Sequence, residues 1–293
     1  MKRSKLLPPI NREVVLSASK LSDAEARVLV SDYYTAQEAR KRADMQVRHL
    51  GDKASEELIP PLLKAVADQN AQIEDMIRRG LLKYAEGSAV GRWCLAQVGV
   101  GPVITAGLLA HIDITRAPTA GHIWSFAGQN PERKWEKGKK RPYNAALKQI
   151  VYHLGECFKR TCNSPDTFYG RIYQTRKALV VARNENGYNA ERAKIFKTQS
   201  ADVRKVLVIG KLPAGNLDRQ ACNYAVKIFL SHLHAVMFWD KYGASAPLPY
   251  SLAMLEHAHF VMVPHVDMFP GLEDALKQAL SRLRKGRALQ AAE

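Results

Sequence analysis

The stretch from Cys94 to Ile112, CLAQVGVGPVITAGLLAHI, constrains this chain more than any other. It predicts a helix, a tight turn on Gly99 and Gly101, and a second helix opened by Pro102. Glycine takes positive φ angles and leaves room for a close neighbour. Proline is pre-set for the first helical position, where a missing amide is no loss. The unpaired amides at such a helix start offer a seat for an anion, phosphate above all. The stretch therefore predicts a helix-hairpin-helix, a module that holds nucleic-acid backbone without reading its sequence. Gly99, Val100, Gly101 and Val103 are its candidate contacts.

The charge balance points to the same partner. The 293 residues carry 44 Lys+Arg against 28 Asp+Glu, a net charge of +16. Such an excess predicts a polyanion, either DNA or a structured RNA. An acidic protein is the alternative partner, and the chain is then a helical interaction module. Cys94, Cys157, Cys162 and Cys222 lack metal-like spacing and predict reduced thiols in a cytosolic protein. The first residues are basic but lack the apolar run of a signal peptide, and no stretch is long enough to cross a membrane. The expectation is a cytoplasmic, nucleoid-associated protein with no membrane partner, no cofactor and no metal.

Taken in order, the chain predicts a mainly α fold in four parts. Residues 1–20 are a basic tail. Residues 21–89 are a helical arm, opened by a capping box in which Ser22 caps and Glu25 reaches back. One arm helix ends at Gly51, a second spans Glu56 to Arg79, and a third spans Leu81 to Leu95. A coiled coil or antiparallel bundle follows from this, with homo-oligomers formed through the arm. Residues 90–246 are the helix-hairpin-helix domain and 247–293 a helical C-terminal extension.

Inside the domain, a short helix over Ala120–Phe126 precedes an amphipathic helix over Asn144–Arg160. Gly155 marks a place on the latter where another helix comes close. Helices also follow over 164–184, 190–197 and 217–241. Ala201–Val208 is open between helix and strand, and its valines favour a strand. Two more helices are expected near 251–260 and 272–289.

Between the first two helices lies ERKWEKGKKRPY, residues 132–143. Cations for phosphate and rings for stacking are what a nucleic-acid loop requires. Arg133, Lys134, Trp135, Lys137, Lys139, Lys140, Arg141 and Tyr143 are the candidates. The alternative is a solvated loop with Trp135 folded back on the core. His232, His234, His257, His259, His265, Glu256 and Asp267 form the only metal-like group. Residues two apart on a helix face different ways, so these predict core or surface histidines rather than ligands.

The order Gly99-Val100-Gly101-Pro102, then Phe126-Ala127-Gly128-Gln129-Asn130-Pro131, then Lys137-Gly138-Lys139-Lys140-Arg141, then the Asn144 helix resembles a known family. It is similar to the C-terminal domain of the transposases of bridge-RNA-guided insertion sequences. The later helix with Arg219 and Ala221 fits that pattern, and the likeness covers roughly residues 90–242. The resemblance implies a scaffold that binds DNA or a structured RNA. In that family a serine before the loop glycine attacks the DNA phosphodiester, and here Lys137 holds that position. A lysine amine cannot form a phosphoserine link. The family's ribonuclease-H-like domain, with its four carboxylates, has no counterpart before Val90. The expectation is a transposase-like binding protein without transposition chemistry. An active serine-type recombinase using Ser125 or Ser164 is the enzymatic alternative.

Overall fold

The computed structural model describes residues 12–51, 61–133, 135–248 and 260–290. Among them twelve α-helices and three short 3-10 turns carry the fold, and there is no strand. The chain divides into two compact units, residues 1–95 with 101–113, and residues 96–100 with 114–293.

The first unit holds α1 (Arg12–Ser17), α2 (Asp23–Gly51), α3 (Pro61–Glu86), α4 (Ala89–Leu95) and α5 (Pro102–His111). The expected capping box opens α2: Glu25 N donates to Ser22 Oγ, and Ser22 N donates back to a Glu25 carboxylate oxygen at 2.8 Å. α2 and α3 run antiparallel, because Tyr84 OH meets Asp23 at one end while Arg40 and Gln37 meet Glu74 further along. Burial alone would push the Glu74 carboxyl up, but donors from Arg40, Gln37 and Tyr33 outweigh it and hold it below its usual range.

Gly80 does not stop a helix as its position suggests. α3 runs through it, and a Cβ there would make an ordinary contact, 3.5 Å, with the Ala18 side chain. α5 is apolar all round, with Val103, Ile104, Ala106, Leu108 and Ala110 buried. A helix of that kind needs neighbours on several sides. α2, α3 and α4 supply them, which is why α5 shares a unit with the arm helices. Arg27 reaches the last turn of α5 and donates to Ala110 O, where a helix C-terminus favours a cation.

The second unit is built around α11 (Ala214–Tyr242), which packs on α6 (Ala120–Phe126), α7 (Ala145–Arg160) and α8 (Phe168–Glu185). α9 (Ala190–Lys194), α10 (Ala201–Val208) and α12 (Leu272–Gln290) complete it. Phe158 and Tyr169 stack at 5.0 Å between centroids, and Phe229 meets Tyr169 edge-on at 5.1 Å. Gly155 sits where sequence placed a close approach: a Cβ there would lie 3.2 Å from Cys222 Cβ and 3.3 Å from a Val226 methyl. Gly155→Val should therefore destabilise the second unit by about 1–3 kcal/mol, read by chemical denaturation, because two packed helices must separate.

α10 corrects the strand preference of residues 201–208. Ser200 Oγ caps it by accepting from Val203 N, and Lys205 pairs with Asp202 at 3.0 Å one turn apart. No strand among the described residues is there to pair with, so local helical bonds take the backbone. α8 starts later than expected, capped by Thr167 rather than at Ser164. The helix expected near 251–260 falls almost wholly outside the described residues. The four cysteines are free thiols, and no described helix is long and apolar enough to cross a membrane.

Candidate nucleic-acid interface

Charge separates the two units. The first carries 16 Lys+Arg against 14 Asp+Glu, whereas the second carries 28 against 14. Of the sixteen net positive charges, fourteen belong to the second unit, together with the basic loop.

The ends of that loop are fixed by short-range bonds. After α6, Gln129 N donates to Trp124 O at 2.8 Å, and Asn144 N donates to Phe126 O at 2.9 Å, so entry and exit lie side by side. Asn130 works in both directions: its Nδ2 donates to Ser125 Oγ, and its Oδ1 accepts from Glu132 N. Asn144 then caps α7 by accepting from Leu147 N. Asn130 is not among the candidate contacts of the loop, although Asn before Pro in a polar run is a turn signal.

The loop tip closes on itself. Lys139 N donates to Glu136 O across a turn whose third residue, Gly138, has φ +88°. Trp135 Nε1 donates to Lys139 O at 2.7 Å, and Lys139 Nζ pairs with Glu136 at 2.7 Å. The Arg141 guanidinium carbon lies 5.4 Å from the Trp135 ring centroid. Trp135 is thus neither loose nor folded on the core; it packs on its own loop and stays 43% exposed. Arg133, Lys137 and Lys140 are exposed and pair with no carboxylate among the described residues. Lys134 lies outside the described residues. Tyr143 is half-buried, with Lys148 Nζ 4.1 Å from its ring.

The hairpin glycines behave differently from each other. Gly99 has φ +93°, and a Cβ there would meet Thr161 Oγ1 at 2.9 Å, so both turn and packing require glycine. Gly101 is extended at φ −88° and ψ 175°, and a Cβ there would touch nothing within 4 Å. Its place is set by Pro102 behind it rather than by a left-handed turn. Gly99 and Val100 belong to the second unit; Gly101 and Val103 belong to the first. Both valines are buried, so any contact there is through backbone.

Neither alternative serine is hydrogen-bonded to a titratable base among the described residues. Ser125 Oγ accepts from Asn130, and Ser164 forms a turn, donating N–H to Thr161 O and accepting from Thr167 N. Lys137 is fully on the surface.

No protein-family model, curated protein or solved structure matches this chain.

The other charged cluster of the second unit is a tie between helices. Asp218 on α11 accepts from Lys159 on α7, and from Lys177 and Tyr173 on α8. Burial would raise its pKa, but these three donors outweigh burial and hold the carboxyl far below its usual range. Burial and Asp218 together push the Tyr173 phenol up. An acid that stays ionised and a phenol that stays protonated exchange no proton near neutral pH. Glu156 and Arg219 extend the tie at 2.7 Å, with the guanidinium over the Tyr152 ring.

His232 and His234 are core residues. His232 Nε2 donates to Val261 O at 2.9 Å, since a carbonyl only accepts, so its Nδ1 accepts from Tyr169 OH at 2.8 Å. His234 Nε2 donates to Ala117 O. The two rings use separate partners, as the spacing argument requires. His257 and His259 lie outside the described residues.

Proposed function

We propose that this chain binds nucleic acid through the loop Arg133–Arg141 of its second unit, by phosphate contact and stacking rather than base readout. One observation carries the reading: the loop is pinned at both ends and closed at its tip, yet holds its indole and its cations in water. An exposed tryptophan forgoes the burial that large aromatics gain in a core. A solvated linker has no use for one held by a hydrogen bond and an arginine. A fixed ring with cations around it suits a phosphate-linked chain of flat bases. The charge of the second unit supports the same partner.

The resemblance to transposases of bridge-RNA-guided insertion sequences is proposed with it, since the loop is one of the motifs that carry it. That proposal covers binding alone, because Lys137 stands where the family has its serine.

The test is binding of labelled DNA and RNA oligonucleotides over a salt series. With four or five phosphate contacts, affinity for duplex should fall on the order of a hundred-fold between 50 and 200 mM salt. Trp135 fluorescence should change on binding, and Trp135→Ala should weaken single-strand binding. Absence of binding at 50 mM salt, or binding indifferent to salt, overturns the proposal.

A further inference from the structure

The second unit exposes another aromatic ring in a comparable setting. After α8 the chain turns through Asn186, Gly187 and Tyr188 into α9, with Gly187 at φ +78°. Buried Asn184 fixes this turn from inside. Its Nδ2 donates to Leu212 O at 3.2 Å, and its Oδ1 accepts from Leu212 N and Asn189 Nδ2, both at 2.9 Å. Val180, Ala193, Leu212 and Leu217 pack beneath. Tyr188 N donates to Arg183 O at 3.0 Å, and Ala190 N to Gly187 O at 3.0 Å.

On this fixed base Tyr188 is 75% exposed. The Arg183 guanidinium carbon sits 5.5 Å from its ring centroid. Residues 183–211 carry seven Lys+Arg against three Asp+Glu. Each acid is taken by a lysine: Glu185 by Lys211, Glu191 by Lys194 and Asp202 by Lys205. Arg183, Arg192, Lys197 and Arg204 are left without a carboxylate among the described residues.

A ring on a rigid turn loses little entropy when something stacks on it. A guanidinium beside it strengthens stacking and meets phosphate. A base inside a duplex has both faces covered by its neighbours, whereas an unpaired base has a face to offer. We propose that Tyr188, backed by Arg183, is a second stacking platform, which takes an unpaired nucleobase of single-stranded DNA or RNA. The inference rests on the nucleic-acid reading above but uses different residues, so the two fail separately.

The experiment titrates the full chain with oligo(dT), oligo(U) and a duplex, each of about twenty nucleotides, longer than one such binding site. Tyr188→Ala should lower single-strand affinity about tenfold and leave duplex affinity unchanged. Tyr188→Phe, which keeps the ring, should bind as the parent does. An oligonucleotide carrying 5-iodouracil should photocrosslink to Tyr188, located by mass spectrometry. The dT and U arms separate DNA from RNA as the source of the base. Because Tyr188 is on the surface, circular dichroism should show an unchanged fold.

If Trp135→Ala weakens single-strand binding and Tyr188→Ala does not, the platform is wrong and the loop reading stands. If only Tyr188→Ala weakens it, the platform stands and stacking on Trp135 falls. Equal losses on single strand and duplex also overturn the platform. Failure of every oligonucleotide to bind the parent chain ends both.

Discussion

Changing Lys137, Lys139, Lys140 and Arg141 together to alanine should weaken nucleic-acid binding about a hundred-fold near physiological salt, with the fold intact. Each cation that meets a phosphate releases a counterion and adds about 0.9 to the salt slope on duplex DNA. Removing four lowers the slope by up to roughly 3.6. The loss falls short of that limit, because Lys139 already shares its charge with Glu136. Removing Arg141 has a second effect: it strips the guanidinium from the Trp135 ring and loosens the stacking surface. All four side chains are exposed, so stability should change by less than about 0.5 kcal/mol apiece. Gly138→Ala is the informative companion. No atom lies within 4 Å of its Cβ position, so the cost is backbone strain alone at φ +88°. It should disturb the loop tip while keeping every charge, and so reduce affinity with little change in salt slope. If the fourfold variant keeps both affinity and slope, the loop is not the binding surface.

Acid should unfold the second unit by way of His232. Burial pushes its pKa down to about 4, from 6.5 in the unfolded chain, despite the help of Val261 O. Below pH 6.5 the unfolded chain takes up a proton on this residue, while the folded chain refuses it until near pH 4. Stability from this site is complete above pH 6.5 and is lost as pH falls through that window. The loss by pH 4 is roughly 3 kcal/mol, at about 1.4 kcal/mol for each pH unit. Burial lowers the pKa of His234 too, adding a loss of the same sign. In the same unit the depressed carboxyl of Asp218 starts to release its contribution only as pH falls to the usual carboxylate value of 3.8, at the acid end of that window. Denaturant titrations from pH 7 to pH 4 measure the slope. His232→Gln keeps a donor and an acceptor without titrating, and should flatten it. An unchanged slope in that variant would place the acid sensitivity elsewhere.

Much of the fold is set by local rules that a sequence displays openly. Ser22 with Glu25, and Asn144 before an amphipathic run, fix helix starts because their side chains bond amides three residues away. Gly155 in an apolar helical face forecast a helix neighbour, since only a missing side chain lets two backbones approach so closely. The candidate loop was legible as a set of residue types. Its closure was not, because the bond from Trp135 to Lys139 O depends on a turn whose shape residue types leave open.

Other features depended on which partners were within reach. Gly80 looked like a stop, but α3 runs through it with Ala18 packed alongside. The valines of residues 201–208 favoured a strand, but no strand among the described residues offered to pair with them. Tyr188 looked like a break between helices until Asn184 and Leu212 made its turn rigid. The sequence by itself determined a mainly helical chain, the positions of most helix ends, and a strong positive charge. Each follows from steric, hydrogen-bonding or charge terms acting within a few residues. The tertiary structure alone decided that α5 shares a unit with the arm helices and that the charge gathers in the other unit. It also decided that Gly99 is needed where Gly101 is not, and that Trp135 and Tyr188 are held in place while facing water. Those outcomes turn on contacts between residues far apart in the chain, which local rules do not reach.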